Sequence, residues 1–190
     1  MFFLIVKPET MMIEAIEKRR SIRKYLKKEV EDEKIKSVIE AARLAPSGNN
    51  TQPWHFIIVR DGEMKKRVVE VSNNQTWMLS APVLIIPVAD IRVRVEEGTV
   101  VYLDEMSPMI ELKKIIRDTA IATEHAVLEA YNQGLGTCWV AWFQQDSIRP
   151  LLGIPDDKYV LCVLTLGYPA EDPARRKRKE LSKFVHYDRW

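Results

Sequence analysis

Apolar residues along this chain switch between a helical and a strand-like period, and the switches mark out its elements. Met12, Ile13 and Ile16 share one side of residues 11–20, with Glu14, Glu17 and Lys18 elsewhere, which predicts a short helix. Ile35, Val38, Ile39 and Ala42 fall at i, i+3, i+4 and i+7, so an amphipathic helix is predicted over 31–45. Glu31, Asp32 and Glu33 suit its positive N-terminal end, and Pro46 ends it. His55 to Val59 predicts a strand, Asp61-Gly62 a turn, and 63–71 a short helix. Residues 81–89 are apolar throughout, as in a strand buried on both faces, although Pro87 predicts a sheet edge or an irregularity there. The strongest helix is predicted over 118–135. Ile121, His125 and Leu128 lie on one face, while Ala120, Thr123, Val127, Ala130 and Tyr131 line another. A helix apolar over most of its circumference is surrounded by protein, and in a chain this small a second subunit is a natural way to surround it. Further on, 138–143 predicts a strand or strand-like loop, 144–152 a short helix and 159–166 a central strand.

Residues 90–116 alternate charges with Val, Tyr and Met, and predict an excursion with some local structure, suited to act as a lid over a site. Strands at irregular intervals between helices predict an α+β fold, with a mixed, mostly antiparallel central sheet flanked by helices. At 190 residues, with 46% hydrophobic and 29% charged content, the chain reads as a single domain over 1–190 that can bury a core without disulfides or metals. Cys138 and Cys162 both sit in apolar runs and suit a reducing cytosol. The apolar run at 1–6 is too short for a signal-peptide core and no segment is long enough to span a bilayer, so a cytoplasmic protein without membrane association is expected.

A net charge of +2 does not by itself argue for nucleic acid. The basic run Arg175-Arg176-Lys177-Arg178-Lys179 lacks the aromatic interleaving of a single-strand binder, so no nucleic-acid partner is expected. His55, His125 and His186 are scattered without metal-ligand spacing. There is no phosphate loop of the Gly-x-x-x-x-Gly-Lys type, no Gly-x-Gly-x-x-Gly after a strand and no Gly-x-Ser-x-Gly elbow. Two features remain. Arg19, Arg20 and Arg23 with Ser21 could hold a phosphate through charge-assisted and hydroxyl hydrogen bonds, or simply end a helix with solvated cations. The stretch Ala45-Pro46-Ser47-Gly48-Asn49-Asn50-Thr51-Gln52-Pro53-Trp54-His55-Phe56 crowds amide side chains into one connection. They could read a planar polar heterocycle, or serve a rigid turn.

Four motifs in register, Arg-Arg-Ser-Ile-Arg-Lys-Tyr, this amide stretch, Gly-Leu-Gly-Thr-Cys-Trp and the basic terminal segment ending Val-His-Tyr-Asp-Arg-Trp, resemble the FMN-dependent nitroreductase family from about Met12 to Trp190. The resemblance implies an intertwined homodimer with FMN in each of two interface clefts. It implies ping-pong transfer from NADH or NADPH to a small, flat, electron-poor acceptor such as a nitroaromatic or quinone. By position, Arg19, Arg20, Ser21 and Arg23 match the N-terminal flavin motif, with Arg19 on the phosphate and Arg23 near the pyrimidine edge of the ring. Pro46, Ser47 and Asn50, with Gln52 close by, match the loop that reaches the flavin of the other subunit. Cys138, Trp139, Val140 and Ala141 match the segment whose backbone passes the ring, and Arg176 and Arg178 match the basic pair that closes on the phosphate and ribityl chain. Departures are Gly48, where a second serine is common, and Ala141-Trp142, where Gly and Ala are frequent. Any of Asn73, Asn74 and Gln75 could supply a further amide contact. No catalytic side chain or metal is expected, because flavin carries the hydride transfer. Other chemistries compatible with the resemblance are reductive dehalogenation, flavin fragmentation and non-catalytic flavin binding.

Overall fold

The computed structural model describes residues 12–104 and 106–190, so the apolar run at 1–6 lies outside the described residues. Among the described residues, five α-helices, α1 (Glu14–Lys18), α2 (Asp32–Arg43), α3 (Gly62–Val71), α4 (Ile110–Asn132) and α5 (Gln145–Leu151), accompany five strands. The strands are β1 (Trp54–Val59), β2 (Val83–Asp90), β3 (Gly136–Val140), β4 (Lys158–Val160) and β5 (Val163–Gly167). They form one sheet in the order β1-β2-β5-β3, with β4 also against β2. Among the described residues every ladder is antiparallel, and the one parallel pairing is an isolated bridge between Ser21 and Thr137.

Side-chain alternation along β2 splits the core into two layers. Val83 and Ile85 face α2 and α4, joined by Leu164, Leu166, Val38 and Ala126. Leu84, Ile86 and Val88 face the opposite way, onto Val68 and Val69 of α3 and Ile148 of α5. Pro87 does not sit on a sheet edge, since β2 pairs on both sides. The irregularity falls on its partner. Ile85 opposes Leu164 and Val88 opposes Val160, so four steps on the partner match three on β2. This bulge divides the single strand predicted over 159–166 into β4 and β5. Leu161 N–H donates to the Pro87 carbonyl at 2.9 Å on that side, where proline has no N–H to return.

Helix α4 begins eight residues before the predicted Asp118. Lys113, Lys114 and Arg117 hid its first two turns by making 110–117 read as polar, yet Leu112 and Ile115 are buried there against Ile91, Leu103 and Tyr159. Part of the excursion over 90–116 is therefore a helical extension with its own apolar cluster. Among the described residues, no helix is long and apolar enough to cross a membrane.

Candidate functional site

The segment after α1 is extended and stitched to two strand ends. Ile22 N–H donates to the Thr137 carbonyl at 2.9 Å beside the Ser21–Thr137 bridge, and Tyr25 bridges Pro169. Ile22 and Tyr25 turn inward, while Ser21 and Arg23 remain exposed. The Tyr25 hydroxyl donates to the Ile22 carbonyl at 2.7 Å and lies 2.6 Å from the Thr165 hydroxyl. Burial pushes its phenol up, so it stays protonated and acts as a structural anchor. Gly136 on β3 allows this close approach, because a Cβ there would stand 2.6 Å from Ile22 Cγ1 and 2.8 Å from its Cβ. Gly136→Ala is expected to lose about 1–3 kcal/mol through overpacking. Thermal denaturation measures the loss, and an unchanged midpoint would show that Ile22 gives way freely.

This docking gathers six guanidinium groups (Arg19, Arg20, Arg23, Arg175, Arg176 and Arg178) and one carboxylate, Glu17, around a cleft of about 230 Å³. Their local partners differ. Arg20 Nη1 donates to the carbonyls of Glu17 at 2.9 Å and Arg19 at 2.8 Å, so its side chain closes the C-terminal end of α1. Arg19 Nε lies 3.4 Å from Glu124 of α4. Arg175 lies 3.7 Å from Glu17, and the Arg23 guanidinium sits 5.8 Å from the Trp77 ring centre. Among the described residues, no carboxylate pairs with the guanidinium of Arg23, Arg176 or Arg178. Like charges collected around one carboxylate make an anion the natural occupant. A neighbouring cleft of about 450 Å³ shares Arg19 and Arg20 and adds Lys18, but balances the three with Glu14, Glu171 and Asp172, and so exerts no such pull.

β3 adjoins the basic cleft. Cys138 and Val140 point into the core, whereas Trp139 and the following Ala141 are exposed. Burial pushes the Cys138 thiol up, against the nearby Arg23 charge and a Ser21 hydrogen bond that favour the thiolate. The thiol is therefore a packing group and a poor nucleophile.

The loop carrying Pro46, Ser47, Asn50 and Gln52 lies elsewhere, and none of these four lines the cleft. It is anchored to α4 at Asp118, whereas the Arg19 segment meets α4 at Glu124. Six residues separate these anchors, about 9 Å along the helix axis and about 120° around it. Asn49, Asn50 and Gln52 have φ of 56°, 54° and 48°, a left-handed conformation that Asn tolerates well. Part of the amide signal is therefore backbone chemistry. The same holds for Asn73 and Asn74, with φ of 57° and 52°, while Gln75 Nε2 donates to the Ser72 carbonyl.

Within one chain the structure thus brings together Arg19, Arg20, Ser21, Arg23, Arg176 and Arg178, with Cys138 and the rest of β3 beside them. The 46–52 loop stands apart. Sequence reasoning missed Trp77, Glu124 and Glu171, whose carboxylate accepts from Arg23 N–H at 2.6 Å. It also missed Arg94 and Asp118, the latter a legible signal because it interrupts the buried stripe of Leu112, Ile115 and Ala122.

Residues 16–168 match the Nitroreductase family. A protein of Methanothermobacter thermautotrophicus, named as a candidate NADH dehydrogenase/NAD(P)H nitroreductase, is 34% identical over 94% of this chain and 87% of its own. The NADPH:FMN oxidoreductase of Vibrio harveyi, solved with NAD+, superposes with a TM-score of 0.83 at 26% identity, over 94% of this chain and 74% of that one. An FMN-dependent nitroreductase of Clostridium difficile R20291 superposes with a TM-score of 0.73 at 29% identity, over 94% of this chain and 100% of its own.

Proposed function

Because the chain belongs to the nitroreductase family, we propose that it is an FMN-dependent oxidoreductase that takes a hydride from NADH or NADPH and reduces a flat, electron-poor acceptor such as a nitroaromatic or quinone. It acts as a cytoplasmic homodimer, with residues 1–190 forming a single domain. The observation that carries this reading is the basic cleft against β3. Its donor set fits a phosphate monoester: several guanidinium groups, the exposed Ser21 hydroxyl and one carboxylate that already faces Arg175.

When bound, FMN supplies the hydride and electron chemistry. The chain's own residues hold and tune it. Arg19, Ser21, Arg176 and Arg178 grip the phosphate end, and Arg20 supports them by closing α1. Arg23 stabilises negative charge at the pyrimidine edge of the ring, and the backbone of Cys138 to Ala141 runs beside it. Pro46, Ser47, Asn50 and Gln52 approach from the partner subunit, which accords with their separation from the cleft of their own chain.

The homodimer has a physical argument of its own. Every residue from 174 to 190 is exposed in the single chain. Phe184, Tyr187 and Trp190 are 63%, 85% and 100% exposed, and Met12, Ile13 and Ile16 add a further apolar surface. So much uncovered apolar area calls for a second copy.

The test is anaerobic. The purified protein is expected to be yellow or to take up added FMN, and NADH or NADPH should bleach that colour, which a nitroaromatic or quinone then restores. A protein that takes up no FMN overturns the reading. One that bleaches but is reoxidised only by halogenated aromatics moves the acceptor to dehalogenation.

A further inference from the structure

We propose that the buried Arg94–Asp118 pair is the positioning device for the cofactor-facing loop, acting through Gly48. This inference rests on the reading that Ser47 and Asn50 meet the flavin. Both side chains are 11% exposed, with Arg94 Nη2 and Asp118 Oδ2 3.1 Å apart. Asp118 Oδ2 accepts the Gly48 N–H at 3.1 Å, and Arg94 Nη2 donates to the Gly48 carbonyl at 2.9 Å and to Thr51 Oγ1 at 3.3 Å. One ion pair thus holds both backbone polar groups of a single residue at the centre of the loop. Among the described residues, these are the only side-chain hydrogen bonds that tie 48–52 to another part of the chain; the rest, such as Gln52 N–H to Ser47 Oγ, close the loop on itself.

Glycine leaves room for the contact. A Cβ on Gly48 would stand 2.7 Å from Arg94 Nη2, so a side chain there makes the guanidinium shift from its place on the carbonyl. Arg94 leaves the irregular segment that follows β2, and Asp118 sits on α4, so the pair links the excursion, the long helix and the loop. A buried ion pair contributes little net stability compared with well-packed apolar residues of similar size. What this one supplies is a defined place for a loop whose Asn49, Asn50 and Gln52 already sit in a sparsely populated conformation.

The test separates position from stability. Arg94→Met combined with Asp118→Leu removes both charges of the pair, and Glu111, 4.0 Å from Arg94 Nη1, keeps its ion pair with Lys114 at 2.6 Å. It is expected to keep the thermal midpoint of the apoprotein while weakening FMN binding about tenfold, the worth of one well-placed hydrogen bond. Titration of the apoprotein with FMN, followed by flavin fluorescence and by the shape of the bound-flavin absorption band, reads the change. Gly48→Ala is expected to weaken FMN binding by about three- to tenfold in the native background and to add nothing in the double variant, the non-additivity of groups acting as one unit. Asn50→Ala is the control for the underlying reading. If Asn50→Ala weakens FMN binding but the double variant binds like the parent, the positioning role is overturned and the loop reading stands. If both bind like the parent, the loop reading fails and the proposal falls with it. Should the double variant not fold, Gly48→Ala carries the test alone, and parental FMN binding in it overturns the proposal.

Discussion

Arg19→Ala and Arg178→Ala each lower FMN affinity, by about 10- to 100-fold, if the basic cleft holds the phosphate. A hydrogen bond to a charged group contributes about 1.5–3 kcal/mol, which converts to that range. The structure ranks the two. Removing Arg19 also leaves the carboxylate of Glu124, 3.4 Å from its Nε, without that cation. The phosphate then loses a donor while an uncompensated carboxylate is left beside the vacated position. Arg178 is exposed, and among the described residues its guanidinium reaches only the Arg176 carbonyl at 3.3 Å, so its loss leaves no orphaned charged partner there. The larger loss is therefore expected for Arg19→Ala. Arg20→Ala should weaken FMN binding least, since its guanidinium serves the carbonyls at the end of α1. Equilibrium titration of each apoprotein with FMN at low and high salt measures this, and the margin over the variants should shrink as salt screens the parent's contacts. Flavin retention equal to the parent in both Arg19→Ala and Arg178→Ala removes the phosphate assignment.

Leu164→Ala is expected to cost about 2–5 kcal/mol of stability, the range for deleting a fully buried leucine side chain. Leu164 is 0% exposed and lies in β5 between Ile85 of β2 and Trp139 of β3. Its side chain belongs to the layer that seats α2 and α4 on the sheet. For a chain of this size each kcal/mol moves the melting temperature by about 2–4 °C, so a fall of about 4–20 °C is expected. Ile58→Ala, at a β1 position 36% exposed, should cost clearly less. Thermal unfolding at fixed protein and FMN concentrations checks both, because ligand and subunit association shift the midpoint by mass action. Equal losses at the two positions would mean that the sheet does not carry the core described above.

Much of the fold was legible because local pattern and tertiary burial agree. Val38 and Ala42 of α2 are completely buried, as their spacing requires, and the apolar run of β2 is covered on both faces. Disagreement arose where polarity and burial part company. The first turns of α4 carry cations outward while Leu112 and Ile115 face a cluster formed by residues remote in the chain. The bulge opposite Pro87 is invisible in 159–166, since its cause lies on another strand. The basic motifs were legible as a group but not in their separate tasks. Arg19, Arg20 and Arg23 look alike along the chain, yet they end on Glu124, on the carbonyls of α1 and beside Trp77.

The amide-rich loop shows where the division falls. From the sequence alone came its place between α2 and β1, its turn-forming residues and its membership in a set of four motifs that names a family. Only the tertiary structure decided that Asn49 and Asn50 take a left-handed backbone conformation, that the loop stands apart from its own chain's basic cleft, and that Arg94 lies against Gly48. The reason is physical. Backbone preference and periodicity act between near neighbours and leave their mark in the order of residues. The contact between Gly48, Arg94 and Asp118 joins positions 46 and 70 residues apart, and it exists only once the sheet and α4 have brought them together.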